Sequence, residues 1–60
     1  MKFVQEISDL VPRYFRVSGK SVRLKDLRVG DVFIRGVSEY EVIVNPYTKD
    51  SMTFLEAVEV

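Results

Sequence analysis

The chain has 60 residues, 47% of them hydrophobic, with nine basic and nine acidic side chains and neither cysteine nor histidine. That length permits one domain, residues 1–60, with one small core. The missing residue types remove disulfide staples, the commonest zinc ligands and the side chain that most readily exchanges protons near neutral pH. Stability must then come from tight packing or from self-association, so a homodimer is an open route.

The longest aliphatic run, Val42-Ile43-Val44, falls far short of the roughly 20 residues of a membrane span. Charge at Lys2 and Glu6 interrupts the N-terminus too early for the apolar centre of a signal peptide. A cytoplasmic protein without a membrane partner is expected.

Zero net charge conceals an uneven distribution. Residues 13–35 hold Arg13, Arg16, Lys20, Arg23, Lys25, Arg28 and Arg35 against Asp26 and Asp31, seven minus two, or plus five. Residues 36–60 hold Lys49 against Glu39, Glu41, Asp50, Glu56 and Glu59, or minus four, and the first twelve total minus one. This asymmetry is the main functional signal.

In chain order, Phe3, Val4, Ile7, Leu10 and Val11 recur at helical spacing and predict a short amphipathic helix over 2–11, stopped by Pro12. From Arg13 the period changes to two. Tyr14-Phe15-Arg16-Val17 and Ser21-Val22-Arg23-Leu24-Lys25 predict a hairpin about a Gly19-Lys20 turn. That turn opposes Val17 to Val22, Arg16 to Arg23, Phe15 to Leu24 and Tyr14 to Lys25. Phe15, Val17, Val22 and Leu24 then share one face, and Tyr14, Arg16, Arg23 and Lys25 share the other.

Residues 26–31 predict a turn with Gly30 left-handed. Val32–Arg35 and Glu39–Val44 predict a second hairpin around Gly36-Val37-Ser38. Opposing Arg35 to Glu39 pairs opposite charges and turns Ile34, Tyr40, Val32 and Val42 inward. A slip of one residue, setting Ile34 against Glu39 and Val32 against Glu41, is rejected on that ground. Residues 45–50 predict a loop through Pro46. Thr53–Val60 predicts a strand with Phe54, Val58 and Val60 on one face, although Met52, Leu55 and Val58 also fit a helical turn. The fold class is mainly β (α+β): a small antiparallel barrel of four or five strands with a short N-terminal helix.

Leu27-Arg28-Val29-Gly30-Asp31-Val32-Phe33-Ile34, followed by Gly36, Tyr40, Glu41, Val42 and Ile43, resembles a pattern of SH3-like barrels and is similar to a stretch of the N-terminal domain of elongation factor P. The resemblance covers about a third of the chain and implies a barrel, not translation-factor activity, since residues 45–60 lack a matching functional loop. In scale and style the chain also looks like small barrel proteins that bacteriophages and mobile elements often encode.

No enzyme and no cofactor are expected. The serines have turn or cap roles without a nucleophile-elbow context. Glu39 and Glu41, two apart on one strand, fit a solvated sheet face better than a catalytic carboxylate pair. Calcium-type aspartate spacing and a phosphate-cradling glycine loop are missing.

The basic hairpin admits two classes of function. Tyr14, Arg16, Lys20, Arg23, Lys25 and Arg28, extended by Arg13, offer guanidinium contacts to phosphate and a ring on which a base can stack, which points to nucleic acid. A half-buried hairpin also needs a polar outer face for structural reasons alone, and the cations serve equally for an acidic protein surface. The second class is a small regulator that docks on a larger enzyme through Phe33, Tyr47, Glu39 and Glu41, with aromatic anchors carrying the interface. A third is a structural subunit that oligomerises.

Overall fold

The alternation of apolar and polar residues builds sheet along nearly the whole chain. The computed structural model describes residues 3–10 and 13–60. Among these residues six strands form, β1 (Val4–Ser8), β2 (Tyr14–Val17), β3 (Lys20–Arg23), β4 (Val32–Arg35), β5 (Ser38–Lys49) and β6 (Met52–Glu59), with one 3-10 turn at Leu24–Asp26 between β3 and β4. They make a single sheet in the order β1-β6-β5-β4-β2-β3, antiparallel throughout. Among the described residues β1 and β3 do not hydrogen-bond to each other. The sheet is therefore open, not the closed barrel of four or five strands expected.

The expected N-terminal helix is replaced by strand over Val4–Ser8, which pairs with β6 through Val4–Val58, Glu6–Glu56 and Ser8–Phe54. Helical spacing marked Phe3, Val4, Ile7 and Leu10 as one stripe, but only Ile7 is buried. A ten-residue helix is marginal without tertiary support, whereas the edge of β6 offers a ladder of backbone bonds. The expected stop at Val11-Pro12 lies outside the described residues.

The first hairpin turns at Ser18-Gly19, both left-handed (φ 50° and 81°), the type I′ pattern. Val17 therefore pairs with Lys20, Arg16 with Ser21, Phe15 with Val22 and Tyr14 with Arg23. This register differs by two residues from the one expected. A shift of two keeps every strand residue on its face, so Phe15, Val17 and Val22 still lie opposite to Tyr14, Arg16 and Arg23. Leu24 and Lys25 leave the strand for the 3-10 turn.

The second hairpin adopts the register rejected above. It turns at Gly36-Val37, with Gly36 at φ 65°, and sets Val32 against Glu41, Phe33 against Tyr40, Ile34 against Glu39 and Arg35 against Ser38. Core packing decides this. Phe33 enters the interior, edge-on to Phe15 at 5.1 Å and stacked on Tyr40 at 5.7 Å. Phe33 is fully buried there, while Val32 and Ile34 on the other face are only 40% and 46% exposed, so placing them beside glutamates gives up only part of their burial.

The loop expected at 45–50 is strand as far as Lys49. β5 continues through Pro46 because two extra residues bulge out of its pairing with β6, between Val42 and Val44 and between Val44 and Tyr47. A bulge leaves a residue outside the ladder, where a missing amide proton costs nothing. The hairpin closes at Asp50-Ser51, again left-handed at both positions. β6 is the strand expected there, but it buries Leu55 and Ala57 and turns Phe54, Glu56 and Val58 outward.

The core is Ile7, Phe15, Leu24, Leu27, Phe33, Val42, Leu55 and Ala57, flanked by Val17, Val22 and Tyr40. Leu24 and Leu27 bring the 3-10 turn into the sheet's inner face. The turn at 28–31 is fixed by Arg28 N–H to Asp31 Oδ2 at 2.9 Å and by Gly30 N–H to the Val42 carbonyl at 3.0 Å. Asn45 Oδ1 accepts from Val29 N–H at 2.8 Å, which ties this turn to the bulged part of β5.

Candidate nucleic-acid interface

Side chains alternate along each strand, so register determines which groups share the outward face. On β2 and β3 that face carries Tyr14, Arg16, Ser21 and Arg23. Tyr14 is 57% exposed, and the Arg23 guanidinium carbon lies 6.0 Å from its ring centroid. Residues 14–23 hold Arg16, Lys20 and Arg23 and no acidic residue, a charge of plus three.

Beside this face, Arg13, Arg23 and Lys25 line a cleft of about 260 Å³ together with Asp9, Leu10 and Thr53. The cleft lies where the segment after β1 approaches the end of β3. Asp9 is held there by its N–H bond to the Thr53 carbonyl at 3.2 Å. Three cations against one carboxylate favour an anion in that space.

The six residues expected to contact nucleic acid are thus divided. Tyr14, Arg16 and Arg23 share the outward face, and Arg23 with Lys25 lines the cleft. Lys20 pairs with Val17 beside the turn, on the opposite face from Arg16 and Arg23. Arg28 turns back on its own loop, its Nη1 donating to the carbonyls of Lys25 at 2.8 Å and Leu27 at 2.7 Å. Its guanidinium braces the 3-10 turn. The cleft itself joins residues far apart in sequence, and no local pattern marks Asp9 or Thr53 as its walls.

The alternative protein-docking surface is altered more deeply. Phe33 is fully buried and cannot anchor a partner. Glu39 and Glu41 are exposed on the outward face, beside Ile34 and Val32 across the ladder. Tyr47 is half-buried against Phe54, with ring centroids 6.1 Å apart, and its hydroxyl donates to Glu6 Oε2. That hydrogen bond, with the surrounding burial and the negative charges of Glu6 and Glu56, pushes the Tyr47 phenol up to about 12.

Comparison with protein-family models, curated proteins and solved structures finds no match for this chain.

Proposed function

We propose that this chain is a non-enzymatic binding protein that holds single-stranded nucleic acid across the outward face of β2 and β3 and the adjoining cleft. The observation that carries this reading is the convergence of Tyr14, Arg16 and Arg23 on one exposed face, continued by Arg13 and Lys25 at the cleft. Guanidinium groups contact phosphates, and an exposed ring stacks a base whatever its identity. A strand face of a small β-domain serves this purpose in oligonucleotide-binding folds. In fold terms we read the open sheet, with its 3-10 turn packed inside, as a variant of the SH3-like barrel.

The test is a titration of labelled single- and double-stranded oligonucleotides at two salt concentrations. Three phosphate contacts to a single strand predict about a 20-fold loss of affinity for a fourfold rise in salt. The Arg16→Glu, Arg23→Glu variant is expected to lose binding while staying folded. Equal binding by wild type and variant would reject the reading.

One observation favours a second reading, docking on a protein. Val4, Val32, Ile34 and Val44 are exposed on the outward face among Glu39 and Glu41. Apolar side chains rimmed by charge are the composition of an interaction surface. On this reading the arginine variant leaves function intact and Ile34→Glu abolishes it.

A further inference from the structure

We propose that two copies of this chain pair edge to edge, β1 of each against β3 of the other, about a two-fold axis. Among the described residues, β1 hydrogen-bonds only to β6 and β3 only to β2. Both therefore present an outer row of unpaired amides and carbonyls, which is a template for another strand. Their lengths, five and four residues, differ by one.

The two edges also border the same cleft. β1 runs on into Asp9 and Leu10, β3 ends at Arg23, and all three residues line it. A second copy set against that side meets both edges at once, so the contact closes on two copies and does not propagate.

Charge selects this pairing over the others. β1 and β6 together carry Glu6, Glu56 and Glu59 with no cation, or minus three, whereas the β2–β3 hairpin carries plus three. Pairing β1 with β3 brings opposite fields together; β1 with β1, or β3 with β3, opposes like charges. Among the described residues, a core of eight buried side chains leaves the chain much to gain from association. Strand pairing uses backbone groups in the sheet plane, so the side chains of Tyr14, Arg16 and Arg23 stay available on the outward face. The outward face therefore stays free in the dimer, whereas the cleft between the two edges, with Arg13 and Lys25, is covered by the second copy.

Sedimentation equilibrium tests the arrangement without any ligand. Wild type is expected to shift from one copy to two as concentration rises to about 1 mM, with the shift weakened by salt. Two charge-reversed variants follow: Gln5→Lys with Glu6→Lys on β1, and Lys20→Glu with Arg23→Glu on β3. Each alone is expected to dimerise at least about tenfold more weakly than wild type. An equimolar mixture is expected to recover dimers, because each edge then meets its opposite. Circular dichroism confirms folding of each variant. Should loss of the Glu6–Tyr47 bond unfold the first, Val4→Lys with Gln5→Lys replaces it and leaves that bond in place. A monomeric wild type at the highest concentration, undiminished dimers of either variant alone, or assemblies larger than two would overturn the proposal.

Discussion

Arg23 stands directly opposite Tyr14 in the β2–β3 ladder, with its guanidinium carbon 6.0 Å from the ring centroid. At an exposed site such a contact contributes about 0.5–1 kcal/mol and holds ring and cation on one face. The same two groups stand first in the proposed contact with a nucleic-acid strand.

Tyr14→Ala is therefore expected to weaken single-strand binding by about 1–3 kcal/mol, the usual contribution of one stacked base. Tyr14→Phe keeps the ring and is expected to bind as wild type does. Fluorescence anisotropy with a short labelled oligonucleotide distinguishes them; equal loss in both variants would point to the hydroxyl instead of the ring.

Phe33 touches both Phe15 and Tyr40 and is fully buried. Phe33→Ala is expected to cost about 3–5 kcal/mol, comparable to the whole stability of a small domain. Its far-UV spectrum at 25 °C should be that of a largely unfolded chain. Ile34→Ala, one residue away but facing outward, should stay folded. If both variants melt alike, the inward register of Phe33 is wrong.

The Tyr47 phenol, pushed up to about 12 from an ordinary 10, binds its proton more tightly in the folded state. Between those values the native protein holds more protons than the unfolded one, so stability falls as pH rises. Below pH 10 the contribution is fully present, and above about 12 it is gone. Melting temperatures measured from pH 9 to 12 should decline less steeply in Tyr47→Phe than in wild type.

The β5–β6 turn places Asp50 and Ser51 at φ 53° and 66° without a glycine. Each non-glycine residue in the left-handed region carries a steric cost, and the second position of a type I′ turn prefers glycine. Ser51→Gly is expected to stabilise the chain by about 1 kcal/mol in urea denaturation. No gain would mean that Ser51 makes up the cost elsewhere.

Much of the sheet was legible from alternation, and its failures have separate physical causes. On β2 and β3 the faces were readable because Phe15, Val17 and Val22 alternate with Tyr14, Arg16 and Arg23. The pairing was not, since it depends on whether Ser18 or Lys20 joins Gly19 in the turn. On β4 and β5 a local charge argument, Arg35 beside Glu39, gave way to the larger gain of burying Phe33 against Phe15, a contact between distant segments. Pro46 read as a loop because a bulge has no signature of its own. At the N-terminus, five apolar residues fitted a helix on spacing, but the open side of β6 imposed a strand. Of the candidate site, Tyr14, Arg16 and Arg23 emerged from period two alone. The cleft did not, because the sheet's curvature brings Asp9 and Thr53 beside Arg23 and Lys25.

A single ladder position, Arg16 with Ile34, joins β2 to β4. The hairpin bearing the cations is thus moored to the rest of the sheet at one backbone pairing and through Phe15, Val17 and Val22 packed on the core. Its amides should be the first to exchange with deuterated solvent, well before those of β5 and β6. A segment so lightly tethered can tilt to follow a curved polymer while the interior keeps its shape, and its outward side chains can diverge widely before the fold is at risk.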